Sequence, residues 1–354
     1  LEQSRGRYDA AKVFFEEALG IAEQGGDDVE VALVLNNLGR LQHLRGEYAE
    51  ARRLLTRALA IREARLGPDH LDVAATLHNL GLLLLLQGDR LAARDALARV
   101  LTIRERKLAD DHPELITILN DLGTVNYRVG DYDRALTLHE RALVMQRRRL
   151  PAGHRDLASS LRNLALVREA RAEHDEAYAL AREAVEIGEQ ALGAEHPDLA
   201  TLLNTLGMLQ RRRDPAAAEA TLTRALAISV RGRGRRHASA ATSMLRLGEV
   251  YLDRGAYNEA RASLDEALAI REGLGADTPE VAEVLVTLGE LAIARGAPGE
   301  AVPLLERALV VRSKGGIPER ALAEVRAALA RALAVDPSQR ARSRELAAQA
   351  AAVL

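Results

Sequence analysis

The chain has 354 residues, 48% of them hydrophobic and 28% charged, with a net charge of −2; that is enough apolar matter for a large core and too little net charge for whole-surface binding to nucleic acid or an anionic membrane. Cysteine is absent and aromatics make up 3% of the residues, so disulfides and thiolate metal sites are excluded, an aromatic-lined pocket is argued against, and the core must be built from Leu, Ala, Val and Ile. The longest run of large apolar residues, Leu82 to Leu86, is five long, far short of the about 20 needed to span a bilayer.

In chain order, residues 1–24 read as a turn at Gly6 and Tyr8 followed by one helix, the second half of a partial first repeat. Residues 28–316 then carry one pattern seven times. Leu-Gly or Leu-Ala pairs end at Gly39, Gly81, Gly123, Ala165, Gly207, Gly248 and Gly289, and again at Ala330, with successive spacings of 42, 42, 42, 42, 41, 41 and 41. A second small residue follows at Ala51, Ala93, Ala135, Ala177, Ala218, Ala260 and Ala301, and a third at Ala58, Val100, Ala142, Ala184, Ala225, Ala267 and Ala308. Between the first and second lies a turn glycine in most repeats, Gly46, Gly88, Gly130, Gly255 and Gly296, which ends one helix through a backbone conformation with positive φ. Each repeat is therefore a helix A, a tight turn and a helix B, with small residues letting the two backbones approach and residues such as Leu77, Leu80 and Leu84 filling the gap. Linkers such as Leu66-Gly-Pro-Asp-His70 and Leu192-Gly-Ala-Glu-His-Pro197 stop one helix with Gly and start the next with Pro. Residues 317–354 read as a last helix pair, rich in Ala and Arg, that departs from the pattern as a terminal cap does. The fold class expected is all-α, a right-handed α-solenoid of antiparallel helix pairs forming a single domain.

The segments Leu77-His-Asn-Leu-Gly81, Gly46-Glu-Tyr-Ala-Glu-Ala51 and Arg57-Ala-Leu-Ala-Ile-Arg62 resemble the long tetratricopeptide repeats of kinesin light chains and of many bacterial signalling proteins. The resemblance covers nearly the whole chain. It implies a scaffold that holds a protein or peptide in the concave groove formed by the A helices, with no cofactor and no catalysis. Residue by residue, the groove positions are Leu33, Asn36, Arg40, His43 and Leu44; Ala75, His78, Leu82, Leu85 and Leu86; Thr117, Asn120, Thr124, Tyr127 and Arg128. They continue as Ser159, Arg162, Leu166, Glu169 and Ala170; Thr201, Asn204, Met208, Arg211 and Arg212; then Glu249, Leu252, Asp253, Glu283, Glu290 and Ile293. Read along the chain, the groove passes from apolar to basic to acidic. A partner with apolar side chains near Leu82, Leu85 and Leu86, and with carboxylates near Arg128, Arg162, Arg211 and Arg212, fits that order. Asn37, Asn79 and Asn163 recur two residues before the Gly or Ala of each pair, replaced by Asp121 and Thr205; such amides either hold a peptide backbone or bond within the solenoid itself.

Other recurrences read as structural. His70, His112, His154, His196 and His237 return once per linker, and repeats displaced by roughly 10 Å cannot gather them on one metal ion, so a capping role at the start of helix A is expected. The run Arg231-Gly-Arg-Gly-Arg-Arg-His237 replaces a linker of the usual type and lacks the aromatic residues that accompany nucleic-acid binding; a flexible joint is the reading. No phosphate loop, paired metal-binding His or nucleophile with a neighbouring base is present, so the chain is not read as an enzyme.

The first of three methionines is Met145, so the chain is read as a region of a longer protein. Its ending, Ile317-Pro-Glu-Arg-Ala-Leu-Ala, is similar to the tails of repeat-bearing serine/threonine kinases of myxobacteria, which implies a regulatory part of a cytoplasmic bacterial signalling protein. Two rivals stand beside it: a sensor array attached to a caspase-like peptidase or a nucleotide-binding signalling protein, and a self-assembly module stacking through its end helices.

Overall fold

A computed structural model describes residues 2–313 and 318–354, with side chains from Tyr8 onward. All the elements it describes are helical: α1 (Glu2–Gly25), α2 (Asp28–Leu44), α3 (Tyr48–Leu66), α4 (Leu71–Leu86), α5 (Arg90–Lys107) and α6 (Pro113–Val129); α7 (Tyr132–Arg149), α8 (Arg155–Ala170), α9 (His174–Leu192), α10 (Leu199–Gln210), α11 (Pro215–Arg233) and α12 (Ala238–Asp253); α13 (Tyr257–Leu274), α14 (Pro279–Ala294), α15 (Pro298–Ser313), α16 (Glu319–Leu333) and α17 (Arg340–Ala351), the last preceded by a 3-10 turn at Pro337–Gln339. The expected all-α solenoid of helix pairs is what the chain forms, each even-numbered helix from α2 to α14 being a helix A and the next its helix B. Two compact units share it, residues 1–129 and 130–354.

The Leu-Gly pair has a steric cause. A Cβ built on Gly39, Gly81, Gly248 or Gly289 would lie 2.8, 2.8, 2.6 and 2.6 Å from the side chains of Leu55, Leu97, Leu264 and Leu305. Helix B thus drives a leucine against the bare backbone of its helix A. Where the fourth repeat has Ala165 instead of Gly, the facing residue is Ala181, and both are buried. The volume lost on one helix is restored on the other, a close-packed exchange that keeps the interaxial distance. The turns between A and B follow the expected chemistry. Gly46, Gly88, Gly130, Gly255 and Gly296 all have φ between 71° and 87°, and Ala172 takes the same place at φ 62°.

The linker histidines cap the A helices. The Nδ1 of His70, His112, His154, His196 and His237 accepts from the backbone N–H two residues on, at 3.1, 3.3, 3.2, 3.2 and 3.1 Å. Each ring takes the place of the usual Asp or Ser side chain at a helix start. A second stitch is not apparent in the sequence pattern alone. Arg62, Arg104 and Arg312, near the ends of α3, α5 and α15, donate to the carbonyls of Asp72, Glu114 and Ala321 at 2.9, 3.4 and 2.6 Å. Burial lowers the pKa of all three guanidinium groups.

Two local expectations are corrected. Helix α1 runs through Gly6 and Tyr8 without the expected turn. The basic run is no flexible joint: Arg231, Gly232 and Arg233 belong to α11, closed by Gly234 at φ 90°. Three of its four arginines are neutralised across repeats, Arg231 by Glu195, Arg233 by Asp198 and Arg235 by Glu266. The expected start of the last pair, Ile317, lies outside the described residues. Beyond it the chain of unit 2 returns to its own beginning, with Pro318 lying 3.3 Å from where a Cβ on Gly130 would stand.

Candidate functional site

The positions expected to line the groove form one stripe of side chains per helix A, spaced three and four residues apart so that they share a face, and the stripes of each unit make up its candidate wall. In unit 1 these stripes come from α2, α4 and α6. Neighbouring stripes are tied by polar bonds between repeats: Asn79 Nδ2 donates to Asn36 Oδ1 at 3.0 Å, and His78 Nε2 meets Asp121 Oδ2 at 2.7 Å. Asn36 is buried while Asn37, Asn79, His78 and Asn120 are half-buried. Of the recurring amides, Asn79 therefore serves as a rung between repeats. Among the described residues Asn37 has no side-chain partner.

Around these rungs the wall of unit 1 is apolar. Leu33, Leu44 and Leu86 are 50%, 59% and 57% exposed, with Leu82 and Leu85 half-buried beside Leu86. Leaving three leucines this open forgoes roughly half of the about 1.5–3 kcal/mol that full burial of each would supply. Tyr127 is half-buried, and burial lowers the pKa of His43, which is packed edge-on at 6.2 Å from Tyr48. Two exposed cations flank the leucines, Arg40 on α2 and Arg128 on α6, neither with an ion-pair partner among the described residues.

Unit 2 has another kind of wall. No exposed large apolar residue lies on α8, α10, α12 or α14. Arg162 donates from Nε to Thr205 Oγ1 at 3.0 Å and from Nη1 to Asn163 Oδ1 at 3.3 Å, continuing the rungs. Buried Asn204 accepts from Ser243 Oγ at 2.8 Å. Arg211 is held by Glu249 at 2.7 Å and Asp253 at 2.8 Å. Arg246, a wall residue the sequence reading missed, pairs with Glu249 and Glu283, each at 2.7 Å. Burial alone would lower the Arg246 pKa, yet the two carboxylates outweigh it and hold it well above its ordinary value. Glu283 responds in kind: burial pushes its carboxyl up, and Arg246 more than reverses this. Glu290 goes the other way, raised by burial despite Arg331 at 3.4 Å.

The order from basic to acidic is thus present, but its two ends consume one another. Glu249 and Asp253 already neutralise Arg211 through its Nη1 and Nε, whereas Arg212 remains exposed and unpaired among the described residues. It lines a cleft of about 630 Å³ whose rim includes Met208, Arg246 and, from α16, Glu324. Arg246 could have been found in the sequence, standing three residues before Glu249 on one helical face, but its second partner in the next repeat could not.

Among the described residues no group of acidic or histidine side chains is arranged to hold a metal ion, and no helix is long and apolar enough to cross a membrane. Models of the tetratricopeptide repeat match residues 1–64, 43–106, 72–148, 156–229 and 239–314. No curated protein matches. Among solved structures, the nearly identical TPR-like repeats of a protein described as a kinesin light chain from Podosopora anserina are 24% identical over 56% of this chain and 93% of theirs, with a TM-score of 0.50. The Rap conjugation gene regulator of plasmid pLS20, in complex with the Phr* peptide, is 15% identical over 82% of this chain and 76% of its own, with a TM-score of 0.61. A Rap protein complexed with Competence and Sporulation Factor is 14% identical over 99% of this chain and 100% of its own, with a TM-score of 0.57. At these identities the likeness speaks for the fold, and the repeat models, which together span most of the chain, speak for descent. The chain belongs to the tetratricopeptide repeat family.

Proposed function

We propose that this protein is an interaction scaffold whose working surface is the inner wall of unit 1, where it holds a segment of a protein partner presenting apolar side chains with carboxylates as counter-charge. The observation that carries the reading is the exposure of Leu33, Leu44 and Leu86 on adjacent A helices, since a contiguous apolar patch framed by polar residues marks a surface made to be covered. A peptide is a natural first probe, because the Rap regulator sharing the fold was solved with one. The repeat fold is typically non-catalytic, and the role given to the chain is holding. The setting in which it holds its partner, the regulatory part of a larger bacterial signalling protein, belongs to the same proposal.

The test is a displayed random-peptide library selected on wild type, Leu82→Glu and Leu86→Glu. The reading expects apolar sequences enriched on wild type and absent from both variants, with unchanged helicity by circular dichroism. Equal enrichment on all three proteins sinks it.

A second reading, self-assembly, is favoured by one observation: Val13, Phe14 and Ile21 on α1 are 54%, 68% and 71% exposed. Light scattering across a concentration series decides it, as a particle that stays monomeric excludes stacking through this helix.

A further inference from the structure

Two exposed cations on the A helices of unit 1 bear on the register of the partner, an inference resting on the wall reading above. Arg40 and Arg128 stand on the first and third stripes, on α2 and α6, and both belong to the carboxyl-terminal half of their helices. The first turns of α2, α4 and α6, at the opposite edge of the wall, carry the acidic residues Asp28, Glu30, Asp72 and Glu114. Between the Leu33 and Leu44 levels the one carboxylate is Asp121, already held by His78 at 2.7 Å. This half of the wall therefore offers leucines and positive charge, with no free negative charge to set against it.

Adjacent packed helices are about 10 Å apart, so two steps separate the stripes of Arg40 and Arg128 by roughly 20 Å. An extended strand advances about 3.3 Å per residue, which places the span at about six residues. We infer that the partner segment is an extended peptide with two carboxylates about six residues apart, one on Arg40 and one on Arg128, and with apolar side chains between them on the same face, over Leu82 and Leu86. A helical ligand with that spacing would cover only about 9 Å and could reach one cation at a time. Arg suits this task because its planar fork grips a carboxylate with two parallel bonds.

The probe is a fluorescein-labelled peptide, Asp-Ser-Leu-Ser-Leu-Ser-Asp, in which alternate residues share a face, compared with analogues carrying Asn or Lys at both ends. Fluorescence polarisation at low salt is expected to show the Asp peptide binding roughly tenfold more tightly than the Asn peptide, with the advantage shrinking as salt rises. Joint replacement Arg40→Glu and Arg128→Glu is expected to turn the preference to the Lys peptide, while circular dichroism stays that of the wild type. If Asp and Asn peptides bind equally and Leu86→Glu still weakens both, the wall reading stands and the two-cation register is overturned. If no peptide binds, or Leu86→Glu changes nothing, the wall reading falls and takes the register with it.

Discussion

The two units put the same backbone to opposite uses. On α2 and α4 the wall stripe carries open leucines with Arg40 and Arg128 unpaired nearby, whereas on α10, α12 and α14 it carries Arg211, Arg246, Glu249 and Glu283 bonded to one another. A repeat needs its Gly against Leu contact to fold, but nothing in that contact dictates what the wall displays. Unit 1 has spent its wall residues on exposure; unit 2 has spent them on mutual satisfaction. Substitutions on the first wall should therefore cost binding, and on the second, stability.

The largest effect expected is common to both units and tests that their frames are alike. Gly81→Ala and Gly248→Ala each place a methyl 2.8 or 2.6 Å from a leucine side chain, and each should lower stability by about 1–3 kcal/mol through overpacking, read as the urea midpoint. Adding Leu97→Ala to Gly81→Ala reproduces the Ala165 and Ala181 pairing and should recover part of the loss. A cost confined to one unit would mean that the two frames differ.

The comparison itself is sharpened by Arg246→Ala against Leu86→Ser. Removing Arg246 takes the ion pair from Glu283 and leaves Glu249 with Arg211 alone, for an expected loss of about 2 kcal/mol, while Leu86→Ser on an exposed face should stay within about 0.5 kcal/mol. Equal losses would erase the distinction between the walls. Acid should act on unit 2 in two opposed senses. Glu283 has a lowered carboxyl pKa in the folded chain, so its contribution is whole above the unfolded value and is lost as pH falls through the folded one. Glu290 has a raised pKa, so its protonation on folding favours the native state as pH falls through that value. Glu290→Gln removes a contribution that grows as pH falls, so the acid limb of its stability curve should be steeper than that of the wild type, and a limb of unchanged slope would contradict it.

A smaller effect concerns the caps. His237 accepts the Ser239 N–H only while its Nδ1 is unprotonated, and burial, then Arg233 and Arg271, lower its pKa below the ordinary 6.5. The unfolded chain binds the proton more readily, so the cap is whole above the unfolded value and is lost as pH falls below it. Between about pH 7.5 and about pH 5.5 the loss should be about 1 kcal/mol, and it should vanish in His237→Asn, whose amide caps at both values. The smallest effect is a gain: Ala172→Gly relieves a left-handed alanine at φ 62° and should add about 0.5–1 kcal/mol. A loss there would show that the turn of the fourth repeat is held by something other than its backbone.

Much of this could be read from residue order because the controlling distances are short. The Leu-Gly pairs, the turn glycines at Gly46 and Gly88, and the histidine before each helix A act within one repeat, so their spacing is their structure. The candidate wall was legible as a list but not as a chemistry. His78 and Arg162 were expected on the wall, and their bonds to Asp121 and Thr205 join residues 43 positions apart, so no local pattern announces them. The same holds for Arg62, whose burial depends on the carbonyl of Asp72 in the next helix.

Residue order alone determined the all-helical class, the repeat length and the stripe of side chains on each helix A, because helical period and glycine sterics are properties of a few neighbouring residues. Only the tertiary structure decided which of those side chains remain available, because charge neutralisation and burial depend on what the adjacent repeat brings within about 3 Å, and that partner is set by packing rather than by proximity along the chain.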